Sequence, residues 1–221
     1  MGELEECDYE ASIDRMKSLV SAMPPLDAEE LLSKPERIDL WLKAWGVPLR
    51  MRRLVRGGLN ETKAVRVVNE YIDTPEEAWC LTVGADKGTG KSTAAAKWLT
   101  SFIDHDPDNV PNNKTPNYWF TGPGLTRINN YDVAWEKVMH SRVMVLDDLG
   151  VEYIDKNENF LTRLDELIYV RHGEFLPTLI TTNLNSEDFE KRYGDRVFDR
   201  ICEGFDEGGG FCEINLESMR V

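Results

Sequence analysis

The stretch VGADKGTGKST, from Val83 to Thr93, decides how the whole sequence is interpreted. Apart from its first position, it fits the pattern G-x-x-x-x-G-K-[ST], a glycine-rich loop that joins a strand to a helix and binds phosphate. The pattern expects glycine at position 85, whereas this chain has Ala85 there and Gly84 one residue earlier. Alanine is the mildest replacement for glycine wherever the backbone does not need a positive φ. The sequence therefore predicts a phosphate-binding loop with one conservative departure.

The residues on either side place this loop between a strand and a helix, which is the setting that the pattern requires. Ala78–Gly84 is an apolar run, and the residues from Ser92 to Ile103 are rich in helix formers. Backbone N–H groups of the loop and the positive end of the helix favour a bound phosphate. Lys91 would reach the β- and γ-phosphates, and the Ser92 hydroxyl would bind Mg²⁺. The predicted nucleotide-binding residues are those of the loop and the first helical turn, namely Gly88, Thr89, Gly90, Lys91, Ser92 and Thr93.

Two carboxylates end a second apolar strand, Arg142–Leu146. An apolar strand that ends in paired acids is the Walker B arrangement of NTPases. Asp147 is predicted to hold Mg²⁺ through water, and Asp148 is predicted to orient or deprotonate the attacking water. Together with the upstream loop, these two acids predict an NTPase.

The sequence lacks the motif that binds guanine in GTPases, so adenine is the expected base. Asp147–Gly150 also fits the D-x-x-G of GTPases, which should be followed by an N-K-x-D that binds guanine. The most similar string, Asn113–Pro116, lacks the acid and precedes the D-x-x-G. The GTPase interpretation is rejected for this reason, and ATP with Mg²⁺ is expected.

Polar residues later in the chain suit a hydrolytic site. Leu179–Asn183 is an apolar strand pattern that ends in an amide, and Asn183 can position the lytic water beside the γ-phosphate. Arg196, Arg200 and Arg220 follow. Phosphoryl transfer is accelerated by an arginine that a neighbouring subunit supplies, although most surface arginines have no such role.

Short apolar runs alternate with longer helical patterns from about Trp79 onward, which predicts an α/β fold with a parallel sheet covered by helices. We assign residues 1–47 to a short helical N-terminal extension and residues 48–221 to the ATPase domain. Within the extension, Trp41 and Trp45 share a helical face that either packs on the main domain or docks a partner. The predicted strands are 78–84, 118–121, 142–146, 178–182 and 211–214.

Charge and composition restrict the class of protein. The 221 residues carry a net charge of −14, which disfavours non-specific coating of duplex DNA. The segment 48–67 reverses this balance, with six bases against Glu61 alone, so it can meet phosphates or simply balance its acidic neighbours. There is no apolar run of membrane-spanning length and no signal peptide, and the four cysteines are scattered, so a cytoplasmic protein with reduced thiols is expected.

The motifs together resemble the AAA+ ATPases of the DnaC type, which load bacterial and phage replicative helicases and have the transposition ATPase IstB as a relative. The resemblance extends from about Val47 to the C-terminus. It implies an AAA+ P-loop fold with a five-stranded parallel sheet flanked by helices, little or no C-terminal lid, and ATP with Mg²⁺ at the site. It rests on the phosphate loop and on four further strings, Val145–Gly150, Leu176–Asn183, Gly194–Gly204 and Ser218–Arg220.

The resemblance also implies roles for three arginines. Arg200 resembles the arginine finger that acts on the nucleotide of a neighbouring subunit, and Arg220 resembles the sensor-2 arginine that contacts the nucleotide of its own subunit. Arg171 aligns with an arginine that follows the sensor-bearing helix, and we expect it to face the neighbouring subunit as well. Asp148 stands where many AAA+ proteins have glutamate, and its shorter side chain is expected to make hydrolysis slow.

The function implied by the resemblance is the loading of a replicative DNA helicase onto single-stranded DNA by an ATP-dependent homo-oligomer, in the cytoplasm of a bacterium or of a phage-infected host. Two alternatives stay open on the sequence alone. One is an IstB-like regulator of transposition that assembles on duplex DNA, and the acidic charge counts against it. The other is a nucleotide-binding scaffold in which Ala85 has abolished hydrolysis.

Overall fold

One parallel sheet organises the chain. The structure is a computed structural model that describes residues 33–72, 79–104, 118–128, 133–154, 159–204 and 210–214. The strands in these ranges are β1 (Cys80–Ala85), β2 (Tyr118–Thr121), β3 (Met144–Leu149), β4 (Thr178–Thr182) and β5 (Phe211–Ile214). They form a five-stranded sheet in the order β2-β3-β4-β1-β5, and every neighbouring pair is parallel. The predicted α/β fold with a five-stranded parallel sheet is confirmed.

Helices connect the strands. Within the same ranges they are α1 (Lys34–Ala44), α2 (Leu49–Gly57), α3 (Lys63–Ile72), α4 (Lys91–Asp104), α5 (Gly122–Leu125), α6 (Val133–Met139), α7 (Asn159–Gly173), α8 (Ser186–Tyr193) and α9 (Asp195–Cys202). α1 begins with a capping pair, since the Ser33 N–H donates to the Glu36 carboxylate at 3.0 Å. None of the described helices is both long and apolar enough to cross a membrane.

The sheet is covered on both sides because its strands are apolar at successive positions. Along the segment that enters β3, Val143 and Val145 belong to one hydrophobic cluster, whereas Met144 and Leu146 belong to another. Successive side chains of a strand point to opposite faces of a sheet, so the two clusters lie on its two sides. Residues of α1–α4 complete the first cluster, and residues of α5–α9 complete the second.

The aromatic face of α1 packs into the first of these clusters. Trp41 and Trp45 are 5% and 4% exposed, and they lie in the cluster that also contains residues of α3 and α4. The Trp119 backbone N–H donates to the Trp45 carbonyl at 2.8 Å, which ties the end of α1 to β2. The aromatic face is therefore core packing. Residues 1–32 of the expected extension lie outside the described residues, and the domain division after residue 47 stays a prediction.

Candidate nucleotide-binding site

The phosphate loop joins β1 to α4, since β1 ends at Ala85 and α4 begins at Lys91. Two of its glycines have left-handed backbone angles, with φ of +86° at Gly88 and +85° at Gly90. Most other residues are strained at such angles, whereas glycine is not. A Cβ atom at position 90 would also approach the Thr62 hydroxyl to 3.3 Å. The turn of the loop therefore depends on the glycines that the sequence places there.

Packing explains why glycine stands at position 84, one residue earlier than the motif expects it. Gly84 lies within β1, where an added Cβ would come within 2.9 Å of the Leu184 carbonyl oxygen and 3.0 Å of the Phe211 ring. Ala85 is the last residue of β1, pairs with Ile214 and does not have a positive φ. Glycine is thus needed at position 84 and not at position 85. The departure from the motif falls in the strand, before the loop begins.

Lys91 lies in the first turn of α4 with only 6% of its surface exposed. Its ammonium donates to the Ala85 carbonyl at 2.6 Å, to the Asp86 carbonyl at 2.9 Å and to Asn183 Oδ1 at 3.1 Å. Burial lowers the pKa of Lys91, and nearby carboxylates, that of Asp148 foremost, oppose this shift. The ammonium is held by neutral oxygens, which are weaker partners for a cation than the charged oxygens of a phosphate.

The Asp147 carboxylate of β3 and the Ser92 hydroxyl of α4 lie within hydrogen-bonding distance of each other. Asp147 is buried, and its Oδ1 accepts a hydrogen bond from the Thr181 hydroxyl at 2.7 Å. Burial raises the pKa of Asp147, and hydrogen bonds from Thr181 and Ser92 oppose the rise. Hydroxyl and carboxylate oxygens are the hard ligands that Mg²⁺ prefers. These residues therefore fit the predicted Mg²⁺ site.

Asp148 lies in an irregular part of β3. The strand continues to Leu149, past its predicted end at Leu146, and its pairing with β4 shifts register between these two residues. Asp148 has a φ of +55°, a left-handed angle that aspartate and asparagine adopt more readily than most residues. Its N–H donates to the Thr181 hydroxyl at 3.0 Å. The backbone thus gives a local reason for aspartate, rather than glutamate, at this position.

Asn183 connects the phosphate loop to the Walker B strand. Its Oδ1 accepts the hydrogen bond from Lys91, and its Nδ2 donates to Asp148 Oδ1 at 3.3 Å. Only one orientation of the amide serves both a cationic donor and an anionic acceptor, so these partners fix which atom is oxygen. The structure thus brings together three residues that the sequence assigns to one site.

A cavity of about 410 Å³ lies over the phosphate loop. This volume lies within the range of small-molecule sites, roughly 300–1,000 Å³. Asp148 and Asn183 line it, together with Arg50, Met51 and Val151, which the sequence did not assign to the site. Arg50 belongs to the basic segment 48–67, which the sequence analysis had identified as able to meet phosphates. Nothing in the sequence indicated that Val151 lies at the site. All six predicted loop and helix residues also line the cavity, namely Gly88, Thr89, Gly90, Lys91, Ser92 and Thr93.

Glu152 is a buried acid that sequence reasoning missed. It follows the end of β3, and its Oε2 accepts a hydrogen bond from the Gly150 N–H at 2.8 Å. Its Oε1 accepts from the Tyr193 hydroxyl at 2.6 Å and from the Arg192 guanidinium at 3.0 Å. These contacts fasten the loop after Asp148 to the end of α8. Sequence spacing could not indicate the contacts with Arg192 and Tyr193, because these residues lie 40 and 41 positions further along the chain.

Two of the late arginines lie away from the described part of the cavity. Arg200 Nη1 donates to Asp165 Oδ1 at 2.6 Å, and its guanidinium lies 5.0 Å from the centre of the Tyr169 ring. Arg196 lies 3.8 Å from the same carboxylate and is more exposed. Neither arginine is among the described residues that line the cavity. The role of Arg200 in a neighbouring subunit stays a prediction, and Arg220 lies outside the described residues.

The expectation that Arg171 faces a neighbouring subunit is wrong. Arg171 has 0% exposure and is held entirely within its own chain. It ties the end of α7 to the entry of β4 and to the segment after α6. The sequence could not show this, because the acceptors are mostly backbone carbonyls that only the fold brings together. The guanidinium donates to Thr178 Oγ1, to Ser141 Oγ and to the carbonyls of Met139, Ser141, Leu176 and Pro177.

The fold is similar to those of several solved structures. The crystal structure of the DnaC helicase loader matches with a TM-score of 0.58 and 19% identity, over 76% of this chain and 99% of the other. The crystal structure of DnaI matches with a TM-score of 0.56 and 20% identity, over 76% and 92%. A putative primosome component from Streptococcus pyogenes matches with a TM-score of 0.52 and 18% identity, over 77% and 90%.

These likenesses concern three-dimensional structure and not sequence. No family model matches the sequence, and no curated protein does so either. At identities of 18 to 20%, the structural likeness establishes the fold. The expected DnaC-type fold is thereby confirmed.

Proposed function

We propose that this protein binds and hydrolyses ATP and uses it to load a replicative DNA helicase onto single-stranded DNA. The observation that carries the proposal is the hydrogen-bonded series from Lys91 through Asn183 to Asp148, which borders a cavity of about 410 Å³. The fold in which this series occurs is similar to that of the DnaC helicase loader.

ATP binding uses the phosphate loop and the start of α4. The backbone N–H groups from Gly88 to Lys91 and the positive end of α4 bind the β-phosphate. The Lys91 ammonium exchanges its carbonyl partners, at 2.6 and 2.9 Å, for oxygens of the β- and γ-phosphates. Charge-assisted bonds of this kind are about twice as strong as neutral ones. The exchange also releases Asn183 from Lys91.

Hydrolysis uses the side chains of Asn183 and Asp148. A water held by Asn183 attacks the γ-phosphorus, the bond to the bridging oxygen of ADP breaks, and Asp148 takes the proton of the water. Mg²⁺ would be held by the Ser92 hydroxyl and by Asp147, and it would neutralise part of the phosphate charge. Asp148 and Asn183 already lie 3.3 Å apart, so both can act on one water molecule.

Two arginines complete the proposed site. Arg200 of a neighbouring subunit stabilises the charge on the transferred phosphoryl group. Its ion pair with Asp165, at 2.6 Å, holds the guanidinium in a defined position for this task. Arg220 contacts the nucleotide of its own subunit. The homo-oligomer that forms with ATP is the state that engages the helicase and the single strand.

Turnover measurements test the ATPase part of the proposal. Lys91→Ala is expected to abolish ATP binding and hydrolysis, because it removes the ammonium that pairs with the β- and γ-phosphates. Lys97→Ala is the matched control, since Lys97 lies on the same helix and its ammonium donates to Asn69 at 2.9 Å. Equal turnover by the wild type and Lys91→Ala would remove the ATPase assignment.

Binding and loading assays test the helicase part. The protein is expected to capture the replicative helicase of its host in the presence of ATP and to increase the fraction of helicase bound to single-stranded DNA. Absence of any interaction, with or without ATP, would refute the loader assignment. Binding to duplex DNA with ATP-dependent filaments would instead favour the transposition ATPase.

A further inference from the structure

The pairing of β3 with β4 is irregular where the two acids of the site stand. The strands pair regularly up to Leu146 and again at Leu149. Between these two positions β3 has two residues, Asp147 and Asp148, whereas β4 has only Thr181. Two residues opposite one is the geometry of a β-bulge, and bulges are over-represented beside active sites, where they redirect side chains.

The Thr181 side chain is hydrogen-bonded to both residues of the bulge. Its hydroxyl donates to Asp147 Oδ1 at 2.7 Å and accepts from the Asp148 N–H at 3.0 Å. The direction of each bond is fixed, because a backbone N–H can only donate and a hydroxyl has one proton to give. In a series of this kind each hydrogen bond polarises the next. One buried hydroxyl therefore links the Asp147 carboxylate to the backbone of Asp148.

The bond to Asp148 replaces a contact that the bulge removes. In a regular parallel pair, N–H groups donate to backbone carbonyls of the neighbouring strand, and the bulge disrupts this ladder at Asp148. A buried N–H group without an acceptor is costly, and here the Thr181 hydroxyl is the acceptor. Asp148 also has the left-handed φ of +55°. The hydroxyl thus stabilises an uncommon backbone conformation.

This backbone conformation determines where the Asp148 carboxylate lies. Its Oδ1 accepts from Asn183 Nδ2 at 3.3 Å, and Asn183 Oδ1 accepts from Lys91 at 3.1 Å. Thr181 and Asn183 are two residues apart at the end of β4. The end of β4 therefore holds the backbone of Asp148 through one residue and its carboxylate through the other.

We propose that Thr181 is a positioning residue for ATP hydrolysis, whose hydroxyl fixes both the Asp147 carboxylate and the backbone of Asp148. The inference rests on the proposed function, in which Asp147 holds Mg²⁺ and Asp148 takes the proton of the water. Thr181 is fully buried and is not among the described residues that line the cavity. It therefore acts through the two acids and not on ATP itself.

Three substitutions separate the hydroxyl from the packing of the side chain. Thr181→Val keeps the branched shape and removes both hydrogen bonds, whereas Thr181→Ser keeps the hydroxyl and removes a methyl group. Thr82→Val is the matched control, because Thr82 is also fully buried and its hydroxyl is bonded to neither acid. Thr82 lies on β1, which pairs with the other edge of β4. Thermal unfolding checks that each variant is folded.

The first measurement uses the protein without nucleotide and Mg²⁺. Amide hydrogen exchange, followed by NMR, reports on the Asp148 N–H that Thr181 accepts. Thr181→Val should speed the exchange of this amide at least about fivefold, because it removes the acceptor of a buried donor. Thr181→Ser and Thr82→Val should leave the exchange near that of the wild type. The amide of Ile180, in the regularly paired part of β4, is the internal reference and should change little.

The second measurement is the steady-state turnover of ATP. In Thr181→Val, kcat should fall at least about tenfold while the KM for ATP stays within about threefold, because an interaction that serves only the transition state lowers kcat and leaves KM unchanged. Thr181→Ser should restore most of the rate. Serine leaves a larger packing defect than valine, so a purely structural role would make Thr181→Ser the slower variant.

Three results would overturn the inference. They are an Asp148 amide that exchanges in Thr181→Val as it does in the wild type, a kcat of Thr181→Val equal to that of the wild type, and a Thr181→Ser variant as slow as Thr181→Val. Failure of the proposed function is distinguishable, because the wild type would then show no ATP turnover. In that case the exchange measurement alone decides whether Thr181 holds Asp148.

Discussion

Glu152 and Arg192 form an ion pair of 3.0 Å in which the glutamate side chain has no exposed surface and the arginine side chain is 28% exposed. The Tyr193 hydroxyl and the Gly150 N–H use the remaining acceptor positions of the carboxylate. The pair therefore joins the loop that follows Asp148 to α8, and through α8 to the helix that bears Arg200.

Removal of Arg192 should lower the free energy of unfolding more than removal of the Glu152 charge. Arg192→Met leaves a buried carboxylate without its cation, and the free energy of unfolding should fall by about 3–5 kcal/mol. Glu152→Gln removes the charge and keeps an acceptor, so it should cost about 1–2 kcal/mol. Urea-induced unfolding measures both, with Lys191→Met on the exposed side of α8 as the control. Equal losses for the two variants would contradict this ranking.

Gly84 and Ala85 should differ in how well they tolerate substitution by the other residue type. Gly84→Ala places a Cβ within 2.9 Å of the Leu184 carbonyl oxygen, so we expect a loss of about 1–3 kcal/mol in the free energy of unfolding. Ala85→Gly should leave ATP affinity nearly unchanged, because the residue lies in β1 before the loop. Thermal unfolding and equilibrium ATP binding check the two substitutions. A large gain of affinity in Ala85→Gly would instead show that the alanine restrains the site.

Asn183→Ala should separate catalysis from binding. The amide orients the lytic water, and loss of one such positioned donor slows turnover by about 10²–10³-fold. ATP affinity should change little, since Asn183 binds Lys91 only in competition with phosphate. Single-turnover hydrolysis and equilibrium binding measure the two effects. Asn185→Ala is the control, because Asn185 caps α8 by accepting from the Asp188 N–H at 2.7 Å and lies outside the described cavity lining.

Replacement of Asp148 by glutamate, which has a longer side chain, should not raise the rate of ATP turnover. Asp148→Glu places a residue at φ +55° that adopts this angle less readily than aspartate, so turnover should not rise. Asp148→Asn fits the same backbone and should retain ATP binding while losing at least about 10²-fold in turnover, because it cannot accept the proton. Steady-state hydrolysis with saturating Mg²⁺ distinguishes the two. Faster hydrolysis by Asp148→Glu would refute the backbone argument.

Asp147→Asn should stabilise the protein at neutral pH while it removes a Mg²⁺ ligand. Burial raises the pKa of the folded Asp147 carboxyl above its ordinary value of 3.8, so the folded state holds a disfavoured carboxylate at pH 7. The wild type regains this stability as the pH falls through the raised pKa, and the variant does not. Thermal unfolding without Mg²⁺ and nucleotide should show a higher Tm for the variant at pH 7 and a shrinking difference toward pH 4. A difference independent of pH would exclude this cause.

The parts of the site that could be predicted are those that depend on local sequence. The loop from Gly88 to Lys91 follows from residue types at fixed spacing, and the strand before Asp147 follows from its continuous apolar run. Asn183 was identified because it ends an apolar strand pattern in an amide, and the structure pairs that strand with β3. Parallel strands end at one edge, so residues at those ends meet whatever separates them in the chain.

The parts that could not be predicted depend on contacts between distant segments. Arg171 is buried because carbonyls from the segment after α6 and from the entry of β4 converge on it. Glu152 is buried because α8 returns to the loop after β3. Neither position has a local pattern that differs from a solvent-exposed charge. Long-range contacts of this kind are a property of the topology.

The position of β1 in the sheet has a consequence for biosynthesis. β1 is synthesised before the other strands, yet it pairs with β4 and β5, which include the last strand residues described. While the ribosome is still translating the middle of the chain, the strand that leads into the phosphate loop has neither neighbour. The strand that leads into the phosphate loop therefore gains its second neighbour only after Ile214 has been synthesised.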